Sequence, residues 1–152
     1  MKHLPYLLLA GALVACGGDG DADQVEDVND WDAYVAGGTD YDVQGGPVTM
    51  MEIMGNTHIG GADDEGNTLT IIIEEAPLTT RDYAPMRFTL VIDGSPVYVC
   101  EGPTVTLSVL NISPVVDGTF RGPVDCQNFE NMVSFSGSVE GRFSDTFGQS
   151  TN

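Results

Sequence analysis

An all-β fold is predicted for most of this chain, on three observations. From Pro47 onward, short β-rich runs are broken by Gly, Asn, Asp and Pro at spacings of roughly eight to twelve residues. No long stretch there carries the 3.6-residue apolar period of a helix. The segment RFTLVIDGSPVYVC, residues 87–100, sets Asp93 and Gly94 between two β-rich halves. Those two residue types supply the positive φ angles of a tight hairpin turn.

Taken in order, strands are expected near Val48–Met54, Thr57–Gly61, Thr68–Glu74, Met86–Ile92, Pro96–Cys100, Val105–Leu110, Gly118–Val124 and Val133–Phe143. Gly66 and Asn67 mark a second hairpin turn before the third of these. Ile71, Ile72 and Ile73 in succession suggest that this strand is buried on both faces. Pro96 lacks an N–H and therefore belongs at an edge or in a loop. The hexapeptides 119–124 (TFRGPV) and 134–139 (SFSGSV) share a pattern. Two adjacent antiparallel strands in equivalent surroundings would produce it, and so would the ordinary vocabulary of strands. The sum is a small antiparallel sandwich or barrel of about eight strands. Its expected core includes Ile71, Ile73, Phe88, Leu90, Ile92, Val97, Val99, Leu107, Phe120 and Phe135.

Upstream of this β-domain, assigned to residues 47–148, composition changes. Residues 16–46 are rich in Gly and acidic residues, contain no basic ones, and read as a solvated, disordered tether. Thirty flexible residues have a root-mean-square span of ~30 Å. Trp31, Tyr34 and Tyr41 are unusual in a disordered segment, and one or more of them is expected to dock on the domain. Residues 149–152 form a short C-terminal tail.

Residues 1–15 read MKHLPYLLLAGALVA, with one Lys, an apolar run from Leu4 to Val14 and a small residue before Cys16. This is the layout of a signal peptide. The apolar run gives a helix of only ~17 Å at ~1.5 Å per residue, about half of a ~30 Å hydrocarbon core. Leu13, Val14, Ala15 and Cys16 resemble the lipobox of bacterial lipoproteins. The resemblance covers this segment alone. It implies cleavage between Ala15 and Cys16, a diacylglyceryl thioether on the Cys16 sulfur and, usually, an acylated new amine. Two or three acyl chains give the durable anchoring that one chain cannot. In enteric bacteria an Asp directly after the cysteine resembles an inner-membrane retention signal; Gly17 stands there instead, which leans towards the outer membrane of the cell envelope.

The whole chain carries a formal charge of −18. After Ala15 there is no lysine, and Arg81, Arg87, Arg121 and Arg142 stand against 23 acidic residues. Such a balance argues against nucleic acid and against electrostatic docking to anionic headgroups. It favours a cationic partner or divalent ions, and a saline habitat would produce it equally well. With Cys16 used as a thioether, Cys100 and Cys126 remain, and export places them where disulfides persist. A bridge between them is the natural pairing, for there is no CxxC pair or neighbouring His to favour metal or redox chemistry.

Enzymatic constellations are short of residues. The chain after Ala15 holds one histidine, His58, read as an ordinary strand residue, and no GxSxG, HExxH, P-loop or GxGxxG pattern. Paired carboxylates could still serve glycoside hydrolysis, but only across a substrate cleft. Asp19, Asp21 and Asp23, followed by Asp27 and Asp30, imitate the odd-position ligands of an EF-hand loop. Gln24 stands where that loop requires Gly, so a solvated spacer is the better reading. Asp63, Asp64 and Glu65, with Asn67, form a second candidate calcium site at a charged turn. No other cofactor is implied.

The expected function is that of a non-enzymatic cell-envelope lipoprotein, a tethered acidic β-domain for binding or shielding. The alternatives are an inhibitor or capture module for a cationic protein and a calcium-supported carbohydrate-binding or adhesion module. Radiolabelled palmitate should enter the wild-type protein in cells and be lost from Cys16→Ser. Equal incorporation into both, or none into either, contradicts the lipobox reading.

Overall fold

The computed structural model describes residues 30–94 and 96–145, and every regular element in them is a strand. In chain order these are β1 (Asp30–Ala36), β2 (Tyr41–Gln44), β3 (Val48–Ile53), β4 (Asn56–Ala62), β5 (Thr68–Ile73), β6 (Asp82–Tyr83), β7 (Arg87–Ile92), β8 (Tyr98–Glu101), β9 (Thr106–Ile112), β10 (Val116–Gln127) and β11 (Ser134–Asp145). They form one antiparallel sheet, curled into a half-barrel, in the order β2-β1-β11-β10-β8-β7-β5-β4-β3. The short β6 pairs with β9, and β9 with β10. The open choice between sandwich and barrel thus resolves to a single curled sheet.

All eight expected strands are present, and three more join them. Residues 30–44, read from sequence as tether, carry β1 and β2. Trp31, Ala33 and Val35 alternate along β1 and are buried, while Asp30, Asp32 and Tyr34 between them face outward. That period of two places one apolar face on the core. The β7–β8 hairpin exists, but Ile92 pairs with Tyr98, so a five-residue connection replaces the tight Asp93–Gly94 turn. The side-chain oxygen of buried Asn67 accepts the Asp93 N–H at 2.8 Å, which ties this connection to the neighbouring 63–67 loop. Pro96 lies in that connection, clear of the ladder. The two-residue turn falls instead between β3 and β4, where Met54 and Gly55 have φ of 53° and 84°.

Burial corrects the sequence reading at four apolar positions. Ile72 is half-buried between His58 and Arg87, so β5 is covered on one face only. Val97 and Val99 are half-buried because Tyr98 and Cys100 point inward. Cys100 is directly opposite Cys126 in the β8–β10 pairing, and the two form the expected disulfide. Phe135 is also half-buried, packed against Tyr41 and Tyr98 with ring centroids 6.1 and 5.2 Å away.

Strands β10 and β11 pair over their full twelve residues, from Val116 opposite Asp145 to Gln127 opposite Ser134. At ~3.3 Å per residue this ladder is about 40 Å long. Two phenylalanines lie across glycines of the facing strand, Phe143 opposite Gly118 and Phe120 opposite Gly141. A Cβ on Gly118 would sit 2.7 Å from the Phe143 ring, and one on Gly141 would sit 2.4 Å from the Phe120 ring. Glycine is what lets both rings lie flat over the sheet, a cross-strand aromatic cover of a bare backbone. The repeated hexapeptides meet in this ladder, with Gly122 opposite Val139 and Val124 opposite Gly137. Their surroundings still differ, for Phe120 is buried and Phe135 only partly so. The other edge of β10 is shared: residues 116–121 pair with β9 and residues 125–127 with β8.

The register gives the sheet two ends. The proximal end, where the described chain begins at Asp30, also holds Ser144, Asp145, Val116, Ile112 and the β3–β4 turn. The distal end holds the connections 37–40, 63–67, 93–97 and 128–133. Edge strands β2 and β3 follow one another in sequence, so the curled sheet has a seam between them, and Trp31 fills it. A Cβ on Gly45 would meet the Trp31 ring at 2.4 Å and one on Gly61 would meet it at 2.5 Å. The Met50 N–H on β3 donates to Asp145 of β11 at 2.9 Å, adding a polar tie near the seam. Trp31→Ala should cost about 3–5 kcal/mol, as loss of a buried large aromatic does. Gly61→Ala, which pushes a methyl into the ring, should cost about 1–3 kcal/mol. Denaturant melts showing near-wild-type stability for both would contradict this account of the seam.

Candidate binding surface

The β10–β11 connection is built around two asparagines. Asn128 is fully buried, its N–H donates to the Val133 carbonyl at 2.8 Å, and its side-chain oxygen accepts the N–H groups of Glu130 and Asn131 at 2.7 and 3.1 Å. Asn131 in turn accepts the Val133 N–H at 3.0 Å. Side-chain oxygens that mimic backbone turns are the reason Asn is favoured in such connections. Two features of the loop are costly. Met132 has a φ of 59°, which strains any side chain other than glycine by roughly 1–2 kcal/mol. The side-chain nitrogen of Asn128 is buried without a hydrogen-bond partner. The hydrogen bonds of Asn128 and Asn131 hold the loop in spite of these costs, and Phe129, Met132 and Val133 stand on its surface at 64, 68 and 50% exposure. A loop that merely joined two strands would need none of the three to be large and apolar.

Beside this loop, on the outer face of the sheet, Glu101 of β8 stands directly opposite Asp125 of β10. Like charges at facing positions destabilise a strand pair. Asp125 accepts a hydrogen bond from the Ser136 hydroxyl at 2.7 Å. A recess of about 290 Å³ lies between Glu101, Asp125, Val99, Gln127 and Phe129. Half-buried Val99 and Gln127 line its floor, and two carboxylates and an aromatic ring form its rim. A cation seated between the carboxylates would relieve their repulsion, and an adjoining apolar group would cover Phe129. Tyr41, Tyr98 and Phe135 pack together at the same end, and burial pushes the Tyr41 phenol above its ordinary pKa.

The outer face of β10, β11, β1 and β2 is different in character. Arg121, Glu140, Tyr34 and Asp42 form one cross-strand row, and Thr119, Arg142, Asp32 and Gln44 the next. Arg142 donates to Asp32 at 2.6 Å. The Tyr34 hydroxyl donates to Asp40 at 2.9 Å, and that bond raises its pKa. The result is a polar, net acidic face, with two arginines against Asp32, Asp40, Asp42 and Glu140, and one exposed aromatic ring. At the proximal end, Trp31, Leu110, Asp117 and Phe143 line a smaller recess of about 230 Å³, in which one Asp117 oxygen is buried without a partner.

Of the residues singled out from sequence, Ala15, Cys16, Asp19, Asp21 and Asp23 lie outside the described residues. Asp63 is turned into its own loop: one oxygen accepts the N–H groups of Glu65 and Asn67 at 2.9 and 2.8 Å, the other the Asn67 amide at 2.6 Å. It therefore shapes the turn, with Gly66 at a φ of 94°. Asp64 and Glu65 are exposed beside it. Among the described residues, no three His, Cys, Asp or Glu side chains come together as a metal-holding group. His58 is half-buried on β4, flanked by Met51 and Ile72. The loop at 128–133 was missed from sequence, though Asn128 and Asn131 bracketing Phe129, Met132 and Val133 is a visible pattern of turn formers around apolar residues. Comparison with protein-family models, curated proteins and solved structures finds no match for this chain.

Proposed function

We propose that this protein is a lipid-anchored component of a bacterial cell envelope whose β-domain captures a partner through a segment both basic and apolar. The observation that carries the reading is the 128–133 loop, held by Asn128 and Asn131 with three large apolar side chains exposed, beside the facing carboxylates of Glu101 and Asp125. A preorganised loop reduces the ordering cost of association. An Arg or Lys of the partner would bridge the carboxylates while its aliphatic neighbour covers Phe129 and Met132. The acidity of the whole chain would steer such a partner inward.

The signal segment and the likeness of residues 13–16 to a lipobox support the anchor. Residues 16–29 then serve as the tether, shorter than the sequence suggested because the sheet starts at Asp30. The loop lies at the end of the β10–β11 ladder remote from Asp30, so an anchored domain presents it away from the bilayer. A binding role is favoured over carboxylate-based hydrolysis because Glu101 and Asp125 are exposed on an outer face, whereas that chemistry needs a cleft around its two acids.

Selection of a random peptide library on residues 16–152 bearing Cys16→Ser should enrich Arg or Lys next to an aliphatic or aromatic residue. Glu101→Gln with Asp125→Asn should remove the basic preference, and Phe129→Ser the apolar one. Asn128→Ala, which frees the loop but keeps its apolar side chains, should weaken the selected peptides by about tenfold, equivalent to about 1.4 kcal/mol. Peptides without a basic preference, or unaffected by these variants, contradict the proposal. Binding of neutral oligosaccharides that is lost in Tyr34→Ala and kept in Phe129→Ser would move the site to the polar face and favour the carbohydrate reading.

A further inference from the structure

The proximal end of the sheet carries a second set of exposed apolar side chains, on different elements and with a different setting. The β3–β4 turn has the backbone of a type I′ hairpin, with positive φ at both central residues. Asn, Asp or Gly is favoured at such positions. Here the first is Met54, 99% exposed and touching almost nothing of the protein. Met51 and Ile53 lead up to it on β3, and both are exposed, as are Leu110 and Ile112 on β9. The end of β9 lies beside β3, for Ile112 shares a recess with Met50 and Glu52, the residues that alternate with Met51 and Ile53 along that strand. Ile112 is opposite Val116, Val116 opposite Asp145, and Asp145 holds the Met50 N–H. The same register sets Asp30 against Ser144. The apolar tip therefore lies at the end where the segment leading from Cys16 joins the sheet.

We propose that the β3–β4 hairpin tip enters the lipid interface to which the acyl chains on Cys16 hold the protein, a contact that rests on the anchored reading above. The length of the preceding segment supports it. Only fourteen residues, 16–29, separate Cys16 from the sheet, a reach of at most ~50 Å even at full stretch, so the anchor keeps the proximal end nearer the headgroups than the distal one. An unbranched, polarisable side chain such as Met fits an irregular apolar boundary. The electrostatics select the lipid. Asp30, Glu52, Asp117 and Asp145 surround the same end, so a zwitterionic surface accepts the tip and an anionic one opposes it. With the tip seated, the sheet stands on its proximal end and the 128–133 loop points outward.

The test uses the full lipidated chain in phosphatidylcholine vesicles, with an environment-sensitive fluorophore on Met54→Cys or, separately, on Met132→Cys. At position 54 the emission should shift to the blue on vesicle binding and be quenched by bromines on the upper acyl carbons, the shift falling as anionic lipid is added. At position 132 the emission should stay that of water. A label on Met51→Cys repeats the measurement on the strand should the turn reject the probe. Lipidated protein that floats with the vesicles while labels at 54 and 51 both remain aqueous overturns the tip contact and leaves the anchor standing. Protein that carries no lipid on Cys16 and does not float overturns the anchor and the contact together. A blue shift without vesicles, in protein of doubled solution mass, assigns the tip to a second copy and overturns the contact.

Discussion

The β10–β11 ladder is the constraint on which the rest of this structure depends. Its neighbours attach to it directly: β1 along the outer edge of β11, with β2 beyond β1, β9 to the first half of β10, and β8 to its last residues. Its regularity rests on the two crossed phenylalanine–glycine pairs, which give large apolar cover where the backbone carries no side chain. Between the two segments that pair with β9 and β8, Gly122 passes so close to the β8–β9 connection that a Cβ would stand 2.8 Å from the Val105 Cα. That approach lets one strand serve two neighbours and turns the sheet on itself. Trp31 then fills the seam that curling leaves. Because the ladder runs from one end of the molecule to the other, it also sets how far the two exposed apolar groups lie apart.

Much of this architecture was legible because alternation is a local property. β5, β7 and β9 announce themselves by apolar side chains at every second position, and burial follows that pattern. The misreadings have physical causes. β1 shows only three inward residues, Trp31, Ala33 and Val35, interleaved with Asp30 and Asp32 in an acidic, Gly-rich segment, and its partner is more than a hundred residues away in β11. In β8, hydrophobicity alone favours Val97 and Val99 as the inward face. The Cys100–Cys126 bridge selects the opposite register and carries Tyr98 into the core. Ile72 illustrates the converse, an apolar residue that neighbouring His58 and Arg87 leave at the surface.

The candidate site was harder to read than the fold. Val133 looks like the start of a strand, and only the hydrogen bonds of Asn128 and Asn131 show that it belongs to a loop that exposes it. The facing of Glu101 and Asp125, 24 positions apart in the chain, depends on the register of β8 against β10 and has no sequence signature. The lipobox resemblance, by contrast, needs no fold, since four consecutive residues carry it. A resemblance of four consecutive residues is thus visible at once, whereas a surface assembled by pairing is visible only in three dimensions. Both apolar groups share one device: a methionine held at positive φ, Met54 at one end and Met132 at the other. Backbone strain of that kind persists where surrounding structure imposes it and marks positions to be examined for function. On a strongly acidic surface such exposed apolar groups are the natural points of contact with anything else.

The central claim is that an anchored domain offers the 128–133 loop to a basic, apolar segment of another protein. It is tested most directly by placing a photo-crosslinking amino acid at Met132 in the full lipidated chain, irradiating native envelopes, and sequencing the crosslinked peptide. The account predicts one dominant partner, crosslinked within a segment bearing Arg or Lys beside apolar residues and lost when Glu101 and Asp125 are both neutralised. A probe at Met132 that captures only lipid, or captures the same proteins whether or not those carboxylates are present, would contradict it.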